Sequence, residues 1–185
     1  QVSGAAFLAD EAAVGEGLLA QYQTDFNPRW FEAAAERAEQ ILAHYADPSG
    51  GFFDTRDDHE PLIRRPKSIQ DSPTPSGSAL AVSLLLHLAS LTGETRYEEV
   101  AVGSLRQIQR SLRRYPSAFP AWVAALDFAL GPQGQLAVLG DTSDERFQAL
   151  VKVAWRGYRP RLVVAGGSPG ADRPALLAGR TLLRG

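Results

Sequence analysis

The stretch that most constrains the fold is residues 78–91, which read SALAVSLLLHLASL and carry no Asp, Glu, Lys or Arg. Its length is typical of a helix, and no face of that helix would be polar. It is too short to cross a bilayer. A helix that is apolar all round must be covered by protein on every side. The sequence therefore predicts a central helix packed among other helices.

Apolar residues spaced three and four apart predict further helices on both sides of this stretch. One is predicted at residues 5–23, and a second starts at Asn27-Pro28 and ends near Tyr45. Thr95 and Glu98 have the spacing of a capping box, which predicts the start of a fourth helix. A shorter helix is predicted at residues 117–130.

The pattern changes after residue 132. Residues 135–140 and 161–166 are short apolar runs typical of buried strands, and Thr142-x-x-Glu145 has the spacing of a helix start between them. A strand, a helix and a strand at this spacing predict a βαβ unit with parallel strands. We therefore divide the chain into helical hairpins at residues 1–132 and a small α/β appendage at residues 133–185.

The helical part repeats itself with a period of 67 residues. The matching pairs include Leu18 with Leu85, Ile41 with Ile108, and Phe52 with Phe119. Each unit is an apolar helix followed by an amphipathic one, a pattern typical of stacked or circular helical arrays. The predicted fold is mainly α, a partial (α/α) toroid of helical hairpins followed by the βαβ unit.

A loop of nearly thirty residues, 50–78, separates the two repeats and reads GGFFDTRDDHEPLIRRPKSIQDSPTPSGS. Loops this long in compact domains are usually functional or disordered. We predict that it is ordered at one rim of the helical array, anchored by its aromatic and aliphatic residues. Those anchors are Phe52, Phe53, Leu62 and Ile63.

The charged residues of this loop are the candidate site. Paired carboxylates suit acid–base chemistry on a sugar, and neighbouring cations can hold a sugar phosphate. The catalytic candidates are Asp54, Asp57 and Asp71, and the candidates for substrate binding are Arg64, Arg65, Lys67 and Ser76. The alternative is that the acidic and basic side chains tie the loop together through ion pairs and turn caps.

His87 is a fourth catalytic candidate, because it lies in the apolar central helix. Inner helices of a toroid line its lumen, where a histidine can act as the base of an epimerase. The alternative is a histidine that is simply hydrogen-bonded within the core.

Several classes of function are disfavoured by composition and motif. A net charge of −2 gives no reason to expect nucleic acid or an anionic membrane, and the absence of Cys excludes thiol chemistry in this chain. Adjacent side chains at residues 57–60 do not converge on one point, so we expect no metal. No cofactor is expected either. Pro169 follows the Ser of GGSPG and lacks the N–H that a nucleophile elbow needs. A cytoplasmic location is expected.

Motifs of the loop resemble a known family. GGFFDT at 50–55, RPK at 65–67 and TPSG at 74–77 resemble the C-terminal part of the thioredoxin-domain-containing family that includes spermatogenesis-associated protein 20. The resemblance implies a six-hairpin barrel like those of glycosidases and N-acylglucosamine 2-epimerase. Two positions depart from the family, which tends to have Asn at Ser78 and an aromatic residue near Ala12.

The expected function is therefore that of one part of such a barrel, with a carbohydrate ligand. A non-catalytic helical scaffold or protein-binding module is the alternative. The chain begins at Gln1 without Met, so we expect it to be a piece of a longer protein. The first helix would then leave Phe7, Leu8 and Val14 exposed, which predicts a homodimer.

Overall fold

The computed structural model describes residues 6–58 and 64–182 of the chain. Within those residues it contains six α-helices and two parallel strands, so the predicted mainly α fold with a small strand unit is confirmed. The elements in chain order are α1 (Leu8–Asp25), α2 (Pro28–His44), α3 (Gly77–Thr92), α4 (Thr95–Arg114), α5 (Pro120–Leu130), β1 (Gly134–Leu139), α6 (Glu145–Ala154) and β2 (Leu162–Gly167).

Helix α3 is the centre of the molecule, as its apolar sequence predicts. Ten of its sixteen residues are buried. It packs against α1 on one side, α4 on a second and α5 on a third. Leu84, Leu85 and Leu88 are completely covered, which satisfies the requirement that a helix without a polar face be enclosed.

The 67-residue repeat is present in the structure as a repeat of helix pairs. Helices α2 and α4 begin at Pro28 and Thr95, which lie one period apart. Within each pair the amphipathic helix packs on the apolar one, α2 on α1 and α4 on α3. We call α1, α3 and α5 the inner helices and α2 and α4 the outer helices. Closure of this row into a toroid stays a prediction.

The helix ends show which sequence signals for capping were correct. Asn27 caps α2 by accepting a hydrogen bond from the Arg29 backbone N–H at 3.2 Å, as predicted. The capping boxes predicted at Thr95 and Thr142 are wrong. Thr95 is already the first residue of α4, and α6 is capped by the carboxylate of Asp144, which accepts from the Arg146 N–H at 2.7 Å.

The βαβ unit has the predicted parallel strands, with Gly134 opposite Leu162 and Leu139 opposite Gly167. Its core is continuous with that of the helices. The ring of Phe26, at the end of α1, meets the ring of Phe147 edge-on at 5.5 Å. The Gln23 side-chain oxygen accepts a hydrogen bond from the Val164 backbone N–H at 2.9 Å. The division into two domains at 132/133 stays a prediction.

The exposed flank of α1 is smaller than the sequence predicts. Phe7 and Val14 are each about half exposed, as expected. Leu8 is buried, and the expectation that it would be exposed is wrong. The first residue of α3, Gly77, lies so close that a Cβ there would be 3.2 Å from Leu8 Cγ. The homodimer predicted from this flank stays a prediction.

Within the described ranges, none of the helices is both long enough and apolar enough to cross a membrane.

Replacing Leu85 with Ala should destabilise the fold by about 2–5 kcal/mol, because the cavity left in α3 is enclosed on all sides. Chemical denaturation followed by circular dichroism measures this free energy of unfolding. Leu130→Ala is the control, since Leu130 is 79% exposed and its truncation should change stability by less than about 0.5 kcal/mol. A loss of less than about 1 kcal/mol for Leu85→Ala would contradict the central position of α3.

Candidate functional site

The loop between α2 and α3 lies across the N-terminal ends of the three inner helices. The Leu8 N–H, at the start of α1, donates to the carbonyl oxygen of Asp54 at 2.9 Å. The indole N–H of Trp122, in α5, donates to the carbonyl oxygen of Ile69 at 2.7 Å. Phe52 is 1% exposed and anchors the loop. The predicted rim position and the burial of Phe52 are thus confirmed, while Leu62 and Ile63 lie outside the described residues.

Asp71 joins the starts of two inner helices. One carboxylate oxygen accepts from the Ser76 N–H at 2.8 Å, and the other accepts from the Ala121 N–H in the first turn of α5 at 2.9 Å. Ser76 is the N-cap of α3, and its buried hydroxyl accepts from the Ala79 N–H at 3.3 Å and from the Trp122 indole at 3.1 Å. Both predicted site residues therefore hold helix ends together.

Asp54 is also engaged within the loop. Its carboxylate accepts hydrogen bonds from the Ser68 backbone N–H at 3.0 Å and from the Ser68 hydroxyl at 2.6 Å. Its own backbone N–H donates to the Pro66 carbonyl oxygen at 2.8 Å. These bonds fasten the first half of the loop to the second half.

The three candidate cations differ in their surroundings. Arg65 donates to the carbonyl oxygens of His44 and Thr55, and its guanidinium lies 4.1 Å from the centre of the Phe53 ring. Lys67 forms an ion pair with Asp47 and donates to the Gly50 carbonyl oxygen at 3.0 Å. Arg64 is exposed and makes no hydrogen bond or ion pair with the described residues.

Asp57 lies on the surface and pairs with a histidine. His44 Nδ1 is 2.8 Å from the Asp57 carboxylate, and this hydrogen bond holds the pKa of Asp57 below its usual range. The Arg56 guanidinium similarly lowers the pKa of the neighbouring Asp58. Ligand atoms of His44, Asp57 and Asp58 all lie within 4.8 Å of one another. The Arg56 charge beside them already compensates Asp58.

His87 lies away from the loop, on the side of α3 that faces α1 and α5. Its Nδ1 is 3.3 Å from a carboxylate oxygen of Glu16 in α1, and its ring meets the Phe128 ring of α5 edge-on at 4.6 Å. It lines a cavity of about 400 Å³ together with Ser83, Asp127 and Tyr158. Asp127 is held in place by Arg161, which lowers the pKa of its carboxyl.

The structure does not bring His87 together with the loop carboxylates. His87 is ten residues from the start of α3, which corresponds to about 15 Å along the helix axis. None of Asp54, Asp57 and Asp71 lines the cavity at His87. The residue that does join His87 is Glu16, which sequence reasoning missed because 71 positions separate the two residues.

The two departures from the family pattern are both packing positions. Ser78 is buried in the first turn of α3, and its hydroxyl has no hydrogen-bond partner in the part of the chain that the structure describes. Ala12 is fully buried in α1, where an aromatic side chain would need a different arrangement of its neighbours.

Replacing Asp71 with Ala should destabilise the fold by roughly 1–3 kcal/mol, because two backbone N–H groups at helix starts lose their acceptor. Urea denaturation measures the change. Asp58→Ala, at an exposed position of the same loop, is the control and should change stability by no more than about 0.5 kcal/mol. Equal stability of the two variants would show that the Asp71 carboxylate has no structural role.

Acid should remove the stabilisation that comes from Asp47 and Lys67. The hydrogen bond from Lys67, together with those from Ser49, lowers the pKa of Asp47 from 3.8 to about 2. Because the folded state has the lower pKa, this contribution is complete above about pH 5 and is lost as the pH falls toward 2.

Thermal unfolding of the wild type and of Asp47→Asn between about pH 7 and pH 2 tests this linkage. The difference in Tm should be constant near neutrality and should close in acid. In a Lys67→Gln background the Asp47→Asn change should have a smaller effect, since the two residues interact directly. A Tm difference that persists unchanged in acid would contradict the assignment.

Known proteins with a related sequence include spermatogenesis-associated protein 20 from two mammals. Spermatogenesis-associated protein 20 from Mus musculus and its counterpart from Homo sapiens are each 30% identical to the chain over 167 residues. The match covers 88% of this chain, and the chain spans only about a fifth of the length of these curated relatives. No family model matches the chain. Along most of its own length, the chain is therefore related in sequence to spermatogenesis-associated protein 20.

Proposed function

We propose that the cavity at His87 binds a carbohydrate, and that the row of inner helices is part of a six-hairpin (α/α) barrel. The observation that carries the proposal is a cavity of about 400 Å³ lined by His87 and Phe128, where Glu16 of α1 contacts the His87 ring. Ligand sites are typically apolar concavities with a few convergent polar groups, and this cavity has that character.

The polar groups of the cavity suit the hydroxyl groups of a sugar. A carboxylate can only accept hydrogen bonds, so the contact with Glu16 places the proton of a neutral His87 ring on Nδ1. The other nitrogen, Nε2, is then an acceptor that can bind a hydroxyl or remove a proton from it. The hydroxyls of Ser83 and Tyr158 add groups that both donate and accept.

The apolar part of the cavity suits the carbon face of the ligand. Phe128 and Tyr158 supply aromatic surface, and Leu86 and Val123 add aliphatic surface. An aromatic surface beside polar groups can bind a molecule that has one apolar and one hydroxylated side.

In this proposal Asp54, Asp71 and Ser76 position the loop and the helix starts, and they do not take part in catalysis. Their hydrogen-bonding groups are engaged within the protein. Arg64 and Lys67 are surface cations of the rim, where Lys67 is paired with Asp47. Because these loop residues are engaged within the protein, they favour the second candidate function, a non-catalytic helical scaffold, for the rim formed by the loop.

Calorimetric titration of the chain with a panel of hexoses, N-acylhexosamines and hexose phosphates tests the proposal. His87→Gln should lower the affinity for the best ligand about tenfold, as expected for the loss of one hydrogen bond, and Glu16→Gln should lower it less, because Glu16 acts through His87. His44→Gln is the matched control, since His44 also pairs with a carboxylate but lies at the rim. Failure of every sugar to bind, or equal affinity of all variants, would reject the carbohydrate site.

A further inference from the structure

A second concave surface lies between α4 and α5, next to the cavity at His87, with which it shares Val123. It is a groove of about 710 Å³ whose apolar residues include Val102, Val123, Leu126 and Leu130. Val123 is 42% exposed and Leu130 is 79% exposed. Helices α1 and α3 are each followed by an outer helix that packs on them, whereas α5 is followed by β1. The groove therefore occupies the position of an outer helix for α5.

The rim of this groove is basic. Arg106 and Arg113 line it, and they share one stripe of α4 with Val102 and Gln109 because successive positions in this set are three or four residues apart, about one helical turn. Arg110 and Arg114 are exposed on the same helix. In residues 6–58 and 64–182, none of these four arginines forms an ion pair. The groove thus combines an apolar floor with uncompensated positive charge.

The repeat shows how neighbouring outer helices meet in this molecule. Glu39 of α2 accepts hydrogen bonds from Arg96 of α4, with Arg96 Nη1 at 2.9 Å. The position one period after Glu39 is Arg106, so the charge at this contact is reversed in the second unit. By the same geometry, Arg106 would meet a residue near the start of any helix that packed beside α4 in this groove, and an acidic residue there would pair with it.

We propose that the groove between α4 and α5 binds an acidic amphipathic helix of a partner polypeptide. The apolar stripe of the partner helix covers Val123, Leu126 and Leu130, and the carboxylates of that helix pair with Arg106 and Arg113. Helix-in-groove binding of this kind uses apolar anchors at helical spacing, and complementary charge sets the partner and the orientation. The groove shares Val123 with the cavity at His87, but this inference does not depend on the carbohydrate proposal.

The test uses two synthetic helical peptides that share Leu at successive turns and carry either Glu or Lys at the flanking positions. Fluorescence anisotropy measures their binding to the full 185-residue chain. The Glu peptide should bind at least tenfold more tightly than the Lys peptide, and its affinity should fall as salt is added. Arg106→Glu combined with Arg113→Glu should reverse this preference.

Two control variants locate the site. Arg110→Glu changes the charge of α4 outside the residues that line the groove, and it should alter the Glu-peptide affinity by less than about threefold. Leu130→Asp places a charge in the groove at an exposed position that does not line the cavity at His87, and it should weaken the binding of both peptides.

Three outcomes would overturn the proposal. The first is that neither peptide binds, and the second is that the charge reversal leaves the preference for Glu unchanged. The third is a dimer, measured by light scattering without peptide, that Leu130→Asp converts to a monomer. That result would assign the groove to a second copy of the chain.

Discussion

The enclosure of α3 is the constraint on which the rest of the structure depends. Burial of an apolar side chain is worth about 1.5–3 kcal/mol, and α3 presents such side chains in every direction. Helices α1, α4 and α5 each cover one side. His87 is the titratable residue of α3, and it lies at the boundary between α1 and α5, where Glu16 and Phe128 accompany it. His87 is thus only partly buried, whereas most residues of the helix are fully enclosed.

The loop acidic residues show a competition between two uses of a carboxylate. A carboxylate at a helix start gains from unpaired backbone N–H groups, whereas a catalytic carboxylate must keep an oxygen available to substrate. Asp71 has both oxygens engaged, one at each of two helix starts. Asp57 remains on the surface beside His44. Acidic residues near helix starts in a sequence therefore indicate capping at least as strongly as they indicate catalysis.

Much of the fold could be predicted from periodicity. The predicted limits of α2 and α3 and the parallel pairing of the strands agree with the structure closely, because each rests on a pattern of many residues. The predicted capping boxes were wrong because each rests on only two residues, and Asp144 caps α6 instead. The burial of Leu8 and the contact of Glu16 with His87 could not be predicted, because both arise from tertiary packing between distant segments.

The hydrogen bond between Gln23 and Val164 affects whether the protein can associate with other copies of itself through its sheet. Both strands of a two-stranded sheet are edge strands, and an uncovered edge strand is a template for adding a strand from another molecule. The Gln23 amide oxygen occupies the place where an incoming strand would accept from the Val164 N–H. The Gln23 side chain of α1 therefore takes the place of a neighbouring strand at Val164, and it blocks extension of the sheet beyond β2 at this point.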